Sequence, residues 1–494
     1  MTAQPPAEAV DVLDTSQAGP AAVIGGSMRV AAFAIGTLAG VASSALLLRH
    51  LGVVAFGRYG AILALVAIVA GLSDLGLTVV AVREASARPA AERESILRNV
   101  LGIRLVLTII GVSAMTAVAA SAYPRVYLYG VPIAGLGLLL QTVQDNYSVL
   151  LIVSLRMRWV ALLDLVRSLT TPILIAILVL SGAKLLAFVA VGVPVGLLVL
   201  VLNVWIIRGE RSLWPAFDWQ QWRRVLREVL PYSAAVAAAV FYFQMAILMT
   251  SLLASGHQLG YFTASFRVIQ LLTAVPGLIV GSALPILSRA AGTDHSRLGY
   301  ALERLFEVSL IIGAWAALSI AALAGLAMSI LGGPAFHPAA PVLAIQGVAL
   351  AGTFVSSVWA NGLLSLALYR QILLTTGVAL ALSIVLMIVL VKADGARGAA
   401  IATAIGEVGA AMLGALVLLR RRPSLRPRLR VIPRVALAVA IGSVPLWVGG
   451  LPSIVRFLLA TILYGGVLAV TRAFPRELDA LIPRLPWKHR VDPS

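Results

Sequence analysis

Residues 60–82 form a run of about 23 residues in which Asp74 is the one ionisable side chain. Coiled as a helix, such a run covers a hydrocarbon core of roughly 30 Å. Comparable runs recur along the chain, separated by short polar turns. In a bilayer core every backbone polar group needs an internal partner, so only helices and closed barrels cross it. These runs are too long for barrel strands, so the chain reads as an all-α polytopic membrane protein. Composition agrees: of 494 residues, 60% are hydrophobic and 12% charged, against about 25% charged in an ordinary soluble domain.

Hydropathy places spans at 28–48, 60–82, 101–122, 131–154, 160–181, 185–207, 229–253, 262–287, 308–331, 341–368, 371–391, 396–419, 432–449 and 454–471, about fourteen helices. The basic residues test this segmentation. Of 38 Lys and Arg, 30 fall on the even loops and the two termini, 7 on the odd loops, and one, Arg267, inside a span. The 30 include Arg104 and Arg167, assigned to the ends of loops. Cytoplasmic loops carry the excess of Lys and Arg, so both termini are expected in the cytoplasm, in a bacterial plasma (inner) membrane. The net charge of +18 is then positive-inside bias facing anionic headgroups, and no nucleic-acid partner is expected. Cysteine is absent and the five histidines are scattered, so neither a metal site nor a cofactor is expected.

Residues 1–27 lack the basic start of a signal peptide and read as a disordered cytoplasmic tail. Six spans make an N-terminal lobe, 28–207, and six a C-terminal lobe, 229–419. Between them, 208–228 is a cytoplasmic linker. In it Asp218 is placed to cap a helix, with Gln221 three residues on, and Trp219, Trp222, Val225 and Leu226 share a face. An amphipathic helix lying in the interface and a plain loop with interfacial tryptophans are both open. Residues 420–494 hold a basic loop, two further spans and a tail. An internal echo supports two halves: Gly57-Arg58-Tyr59-Gly60 opens the second span, Gly260-Tyr261-Phe262 the eighth, and each span ends in arginine (Arg83, Arg289). Six spans separate the two, so the halves insert in the same orientation.

Four stretches, Arg49-His50-Leu51-Gly52, Phe56-Gly57-Arg58-Tyr59, Leu72-Ser73-Asp74-Leu75-Gly76-Leu77 and Val82-Arg83-Glu84-Ala85, together resemble the opening of polysaccharide-biosynthesis flippases. These are the O-antigen-type members of the multidrug/oligosaccharidyl-lipid/polysaccharide exporter superfamily. The resemblance is strongest over 26–104. It implies two pseudo-symmetric six-helix lobes in a V plus two C-terminal helices, with a central cavity open to either side in turn. The implied substrate is an isoprenoid-pyrophosphate-linked oligosaccharide. The implied partners are membrane lipids, that lipid-linked saccharide, and a polysaccharide polymerase or glycosyltransferase. Arg49 and Arg58, within the matching motifs, join the candidate substrate contacts.

Arg267 is either a cavity cation for the pyrophosphate, since guanidinium forks match phosphate oxygens, or an arginine snorkelling to the interface. Lipid II-type flippases resemble this chain in having a cavity arginine in the equivalent helix. Gln141, Gln144 and Asp145 make the fourth span unusually polar, as a wall that hydrogen-bonds sugar hydroxyls or as a network internal to the lobe. Asp74 and Glu407 are candidate ion-coupling groups, with helix packing as the alternative for each. Asn361 and Trp359 offer a polar contact and a stacking surface, or ordinary packing. Pro276 and Pro285 mark kinks that serve as hinges or as static shape.

The reading these features favour is a non-enzymatic flippase working by alternating access. A cation-coupled drug antiporter of the same superfamily is the first rival; about twelve spans and an acidic cavity would mark it. A membrane glycosyltransferase or polysaccharide polymerase is the second. It needs paired carboxylates on a sizeable outer loop, and the expected outer loops hold Asp394 alone.

Overall fold

The computed structural model describes residues 18–88, 90–154, 156–207, 214–293, 295–425 and 429–473. Parts of the expected tails (1–17, 474–494) and of the linker (208–213) lie outside these. Among the described residues the regular structure is helical throughout, with no strand.

The chain runs through α1 (Ala18–Asp74), α2 (Leu77–Ser86), α3 (Ala90–Ala122), α4 (Arg125–Val153), α5 (Met157–Leu180), α6 (Leu185–Ala190), α7 (Gly192–Ile206), α8 (Trp219–Leu253), α9 (Gly256–Leu272), α10 (Ala274–Ser282), α11 (Leu284–Thr293), α12 (His295–Gly332), α13 (Ala340–Ser365), α14 (Tyr369–Arg421), α15 (Val431–Gly442), α16 (Val444–Trp447) and α17 (Ser453–Val470). Among the described residues, eleven helices are long and apolar enough to cross a membrane. Two of them are double, because α1 breaks at Gly52 (φ 72°) and α14 at Asp394–Gly395 (φ of Gly395 50°). With each double helix supplying two spans, and the shorter apolar stretch Val431–Trp447, the eleven become the expected fourteen. The Asp394–Gly395 turn is held by Gln258, whose Oε1 accepts from the Ala396 amide at 2.9 Å.

Three boundaries differ from the sequence reading. Helix α1 begins at Ala18, inside the segment read as tail. The eighth span is three pieces, α9, α10 and α11. Its breaks, at Thr273 and Ala283, fall three residues before Pro276 and two before Pro285, where a missing amide and the ring's clash with the preceding turn disrupt the helix. The amphipathic stretch is no separate surface helix: α8 runs unbroken from Trp219 to Leu253. Asp218 does cap it, with Oδ1 accepting from the Gln220 and Gln221 amides at 2.9 and 3.3 Å. Trp222, Val225 and Leu226 pack on the core formed by Leu77, Leu97, Val100 and Val149, whereas Trp219 is 70% exposed and leaves that face.

By its contacts the chain divides into residues 1–252 and 253–494, one span later than the 208–228 linker. The first unit therefore includes α8. Ser233 of α8 donates to the Leu75 carbonyl at 3.2 Å, and Ser251 meets the Tyr123 hydroxyl at 2.9 Å. The segment before α8 is fastened to α3: the Ala216 amide donates to the Arg98 carbonyl (3.0 Å), Arg98 Nε to the Trp214 carbonyl (2.9 Å), and Asn99 bridges Gln221 and the Asp218 amide (2.8 and 3.1 Å). Within the second unit the last two spans dock on α12. There the Tyr464 hydroxyl donates to the Ile311 carbonyl (2.8 Å) and Trp315 Nε1 to Thr461 (3.3 Å).

Candidate functional site

The second span does not stay helical past Asp74. Leu75 (φ 42°) and Gly76 (φ 81°) occupy the left-handed region, and α2 starts afresh at Leu77. Leucine is uncommon there, so surrounding contacts hold the conformation. Asp74 supplies two of them. Its carboxylate accepts from the Gly76 amide two residues on and from the Thr78 hydroxyl, an Asx-type turn that leads into α2. The same carboxylate pairs with Arg104 of α3 at 3.1 Å, and Arg104 also reaches Asp145 of α4 at 3.8 Å.

The Arg104 side chain is 5% exposed, the two carboxylates 34% and 38%. Carboxylates this exposed within spans face protein-enclosed water or solvent, since lipid contact is costly for a charge. One guanidinium between two carboxylates leaves a local surplus of one negative charge. Two nitrogens of Arg104, Nε and Nη1, are buried with no hydrogen-bond partner among the described residues. The pair is therefore incompletely satisfied on its inner side.

One residue before Asp145, Gln144 is buried and fully engaged. Its amide nitrogen donates to the Gly196 carbonyl of α7, and its oxygen accepts from Arg167 Nη2 of α5. Asn146 donates to the Leu97 carbonyl at 3.2 Å. Helix α4 thus holds two arginines of neighbouring helices on consecutive residues. Both had been assigned to loop ends. Arg104 is in fact buried in α3, and Arg167 sits ten residues into α5. The signal was present in the sequence, since both fall inside hydropathy spans; counting them as loop charges concealed it. Removing them leaves the basic asymmetry standing.

The structure therefore brings together Asp74, Gln144 and Asp145, with Gln141 exposed on the same helix. Arg49 is exposed near the Gly52 break and Arg58 half-buried; the neighbouring His50 donates to the Ala183 carbonyl at 2.9 Å.

The remaining candidates belong to the second unit. Arg267 is exposed on α9, and its Nη1 reaches Gln270 at 3.5 Å. Glu407 accepts from Thr353 at 3.0 Å, where Gly352 lets α13 and α14 approach closely. Asn361 donates to the Ser357 carbonyl of its own helix at 2.9 Å. Trp359 is 2% exposed with its ring 5.3 Å from that of Phe306, so no face is left on which a sugar could stack. Of its two readings, packing is the one its burial fits.

The family model described as "Polysaccharide biosynthesis protein" matches residues 28–291. No curated protein matches the chain. Among solved structures, the lipid II flippase MurJ in an inward closed conformation superposes with a TM-score of 0.74 at 14% identity, covering 91% of this chain and 99% of that one. An inward-facing multidrug resistance MATE family transporter of the MOP superfamily gives 0.63 at 18% identity, covering 81% and 98%. An outward-facing one gives 0.53 at 16%, covering 85% and 99%. At these identities the likeness establishes a shared all-α transporter fold.

Proposed function

This chain belongs to the polysaccharide biosynthesis protein family, and on that premise we propose that it is a flippase. It moves an isoprenoid-diphosphate-linked oligosaccharide from the cytoplasmic to the outer leaflet of the plasma membrane, by alternating access and without chemical change. Family membership carries the reading. The fold, shared with a lipid II flippase at a TM-score of 0.74, supports it, as do ionisable side chains within the spans of a multi-pass protein. The isoprenoid tail stays in lipid while the polar head needs a hydrated path lined by hydrogen-bonding groups. With a negative interior, outward passage of the diphosphate is favoured by roughly 2.3 kcal/mol per charge per 100 mV, so the potential alone suffices as a drive. Arg267, exposed on α9, takes the diphosphate; Gln141 and Asp145 hydrogen-bond sugar hydroxyls.

One observation favours a second reading, the cation-coupled antiporter. Asp74 and Asp145 share one guanidinium and are each about a third exposed, an arrangement suited to taking a proton or small cation. Under the flippase reading the same pair, with Glu407 as a further ion site, adds coupling to the potential.

The test is in cells that depend on this protein for surface saccharide. Arg267→Ala should insert normally yet leave lipid-linked saccharide on the cytoplasmic side. Normal delivery by that variant would reject the role of Arg267. A protein whose loss leaves saccharide delivery untouched but raises drug sensitivity is the antiporter.

A further inference from the structure

The first unit holds a cavity of about 390 Å³ between the second half of α1 and helices α4, α5, α6 and α7. That is within the roughly 300–1,000 Å³ typical of small-molecule sites. Its walls are largely apolar, including Leu63, Val66, Leu138, Ile175 and Val195, and its polar groups are few: Arg167, Gln141, Gln144, Thr171 and Tyr59. Arg167 lies ten residues into α5, ~15 Å along the axis. Its guanidinium is turned inward to Gln144 of α4.

Its electrostatics differ from those of Arg104. Arg104 meets two carboxylates within 4 Å, whereas Arg167 donates to the neutral Gln144 and interacts with the Asp145 carboxylate only at longer range. Gln144 is itself fixed by the Gly196 carbonyl, so the guanidinium is aimed before any ligand arrives. A cation deep in the bilayer costs roughly 2.5–3.5 kcal/mol on insertion scales, and a ligand whose phosphate contacts the guanidinium directly, closer than Asp145 does, recovers part of that cost. A planar fork beside an apolar trough fits a phosphate carried on an aliphatic chain.

We propose that this cavity binds a phosphate-bearing amphiphile, its phosphate on Arg167 and its chain along Leu63, Val66, Leu138, Ile175 and Val195. The site lies within the first unit and does not include Arg267; it shares Gln141 with the proposed saccharide contacts but stands without the flippase reading. A membrane phospholipid and a polyisoprenyl phosphate share the required chemistry, and competition separates them.

The probe is a long-chain alkyl phosphate carrying a diazirine on its chain, photolysed with the full-length protein in nanodiscs and mapped by peptide mass spectrometry. Label is expected on peptides covering 134–144, 171–175 or 188–196 of the unaltered protein. Arg167→Gln should lower it about 10–100-fold, the loss expected for charge-assisted hydrogen bonds; Arg434→Gln, in the second unit, should not. Displacement by polyisoprenyl monophosphate at lower concentration than phosphatidylglycerol identifies the lipid carrier as the ligand, and the reverse order a resident phospholipid. Three results overturn the proposal: label confined to residues 253–494, equal labelling by the corresponding diazirine alcohol, or undiminished labelling of Arg167→Gln.

Discussion

Replacing Arg104 with methionine removes the one cation that Asp74 and Asp145 share. At an effective dielectric of about 20, pairs at 3.1 and 3.8 Å attract by roughly 5 and 4 kcal/mol before desolvation is counted. Desolvation of the buried guanidinium cancels much of this. Breaking a buried pair from one side typically costs about 3–5 kcal/mol, because the partner charge is stranded. Both carboxylates keep about a third of their exposure, so the lower end, about 3 kcal/mol, is expected. Removing all three charges leaves no carboxylate stranded, so Asp74→Asn, Arg104→Met and Asp145→Asn together should recover most of the loss; asparagine keeps an oxygen that can accept from the Gly76 amide. The assay is unfolding by SDS titration in mixed micelles, for the single variants, the Asp74–Arg104 pair and the triple. A coupling of about 1–3 kcal/mol between Asp74 and Arg104 is expected. Additive single effects, or a triple variant weaker than Arg104→Met, would refute the reasoning.

Further outcomes follow from packing and topology. A Cβ at Gly102 would lie 2.3 Å from the Ala216 carbonyl oxygen, so Gly102→Leu should release the segment before α8 and make it more susceptible to limited proteolysis. Trp359→Ala should destabilise by about 3–5 kcal/mol, as loss of a buried aromatic does, whereas Asn361→Ala should change stability by under about 1 kcal/mol; SDS titration measures both. The chain has no native cysteine, so single cysteines report topology directly. One at Asp394 should react with an impermeant maleimide from outside the cell, one at Trp219 only after the membrane is opened.

The span pattern was legible because hydrocarbon leaves the backbone so few choices. The breaks at Gly52 and Asp394–Gly395 fall in turns the hydropathy had already placed. The break at Asp74–Gly76 was not legible. A run with one carboxylate reads as continuous, and the interruption is held by Arg104 and Ser233, far away in sequence. The polar face of α4 was readable from Gln141, Gln144 and Asp145, but its partners were not. Arg104 and Arg167 look like loop charges to any tally that uses charge to place loops. Trp219 shows the converse limit: a shared helical face says which residues align, and packing against α2, α3 and α4 decides which of them are covered.

Translocation itself is the most direct test. Purified protein is reconstituted into liposomes with a short-chain isoprenoid-diphosphate saccharide on the inner leaflet, an outward-favouring potential is imposed, and the saccharide reaching a lectin outside is followed in time. The account predicts protein-dependent appearance that rises with the potential and is lost in Arg267→Ala. Appearance no faster than in protein-free liposomes would contradict it.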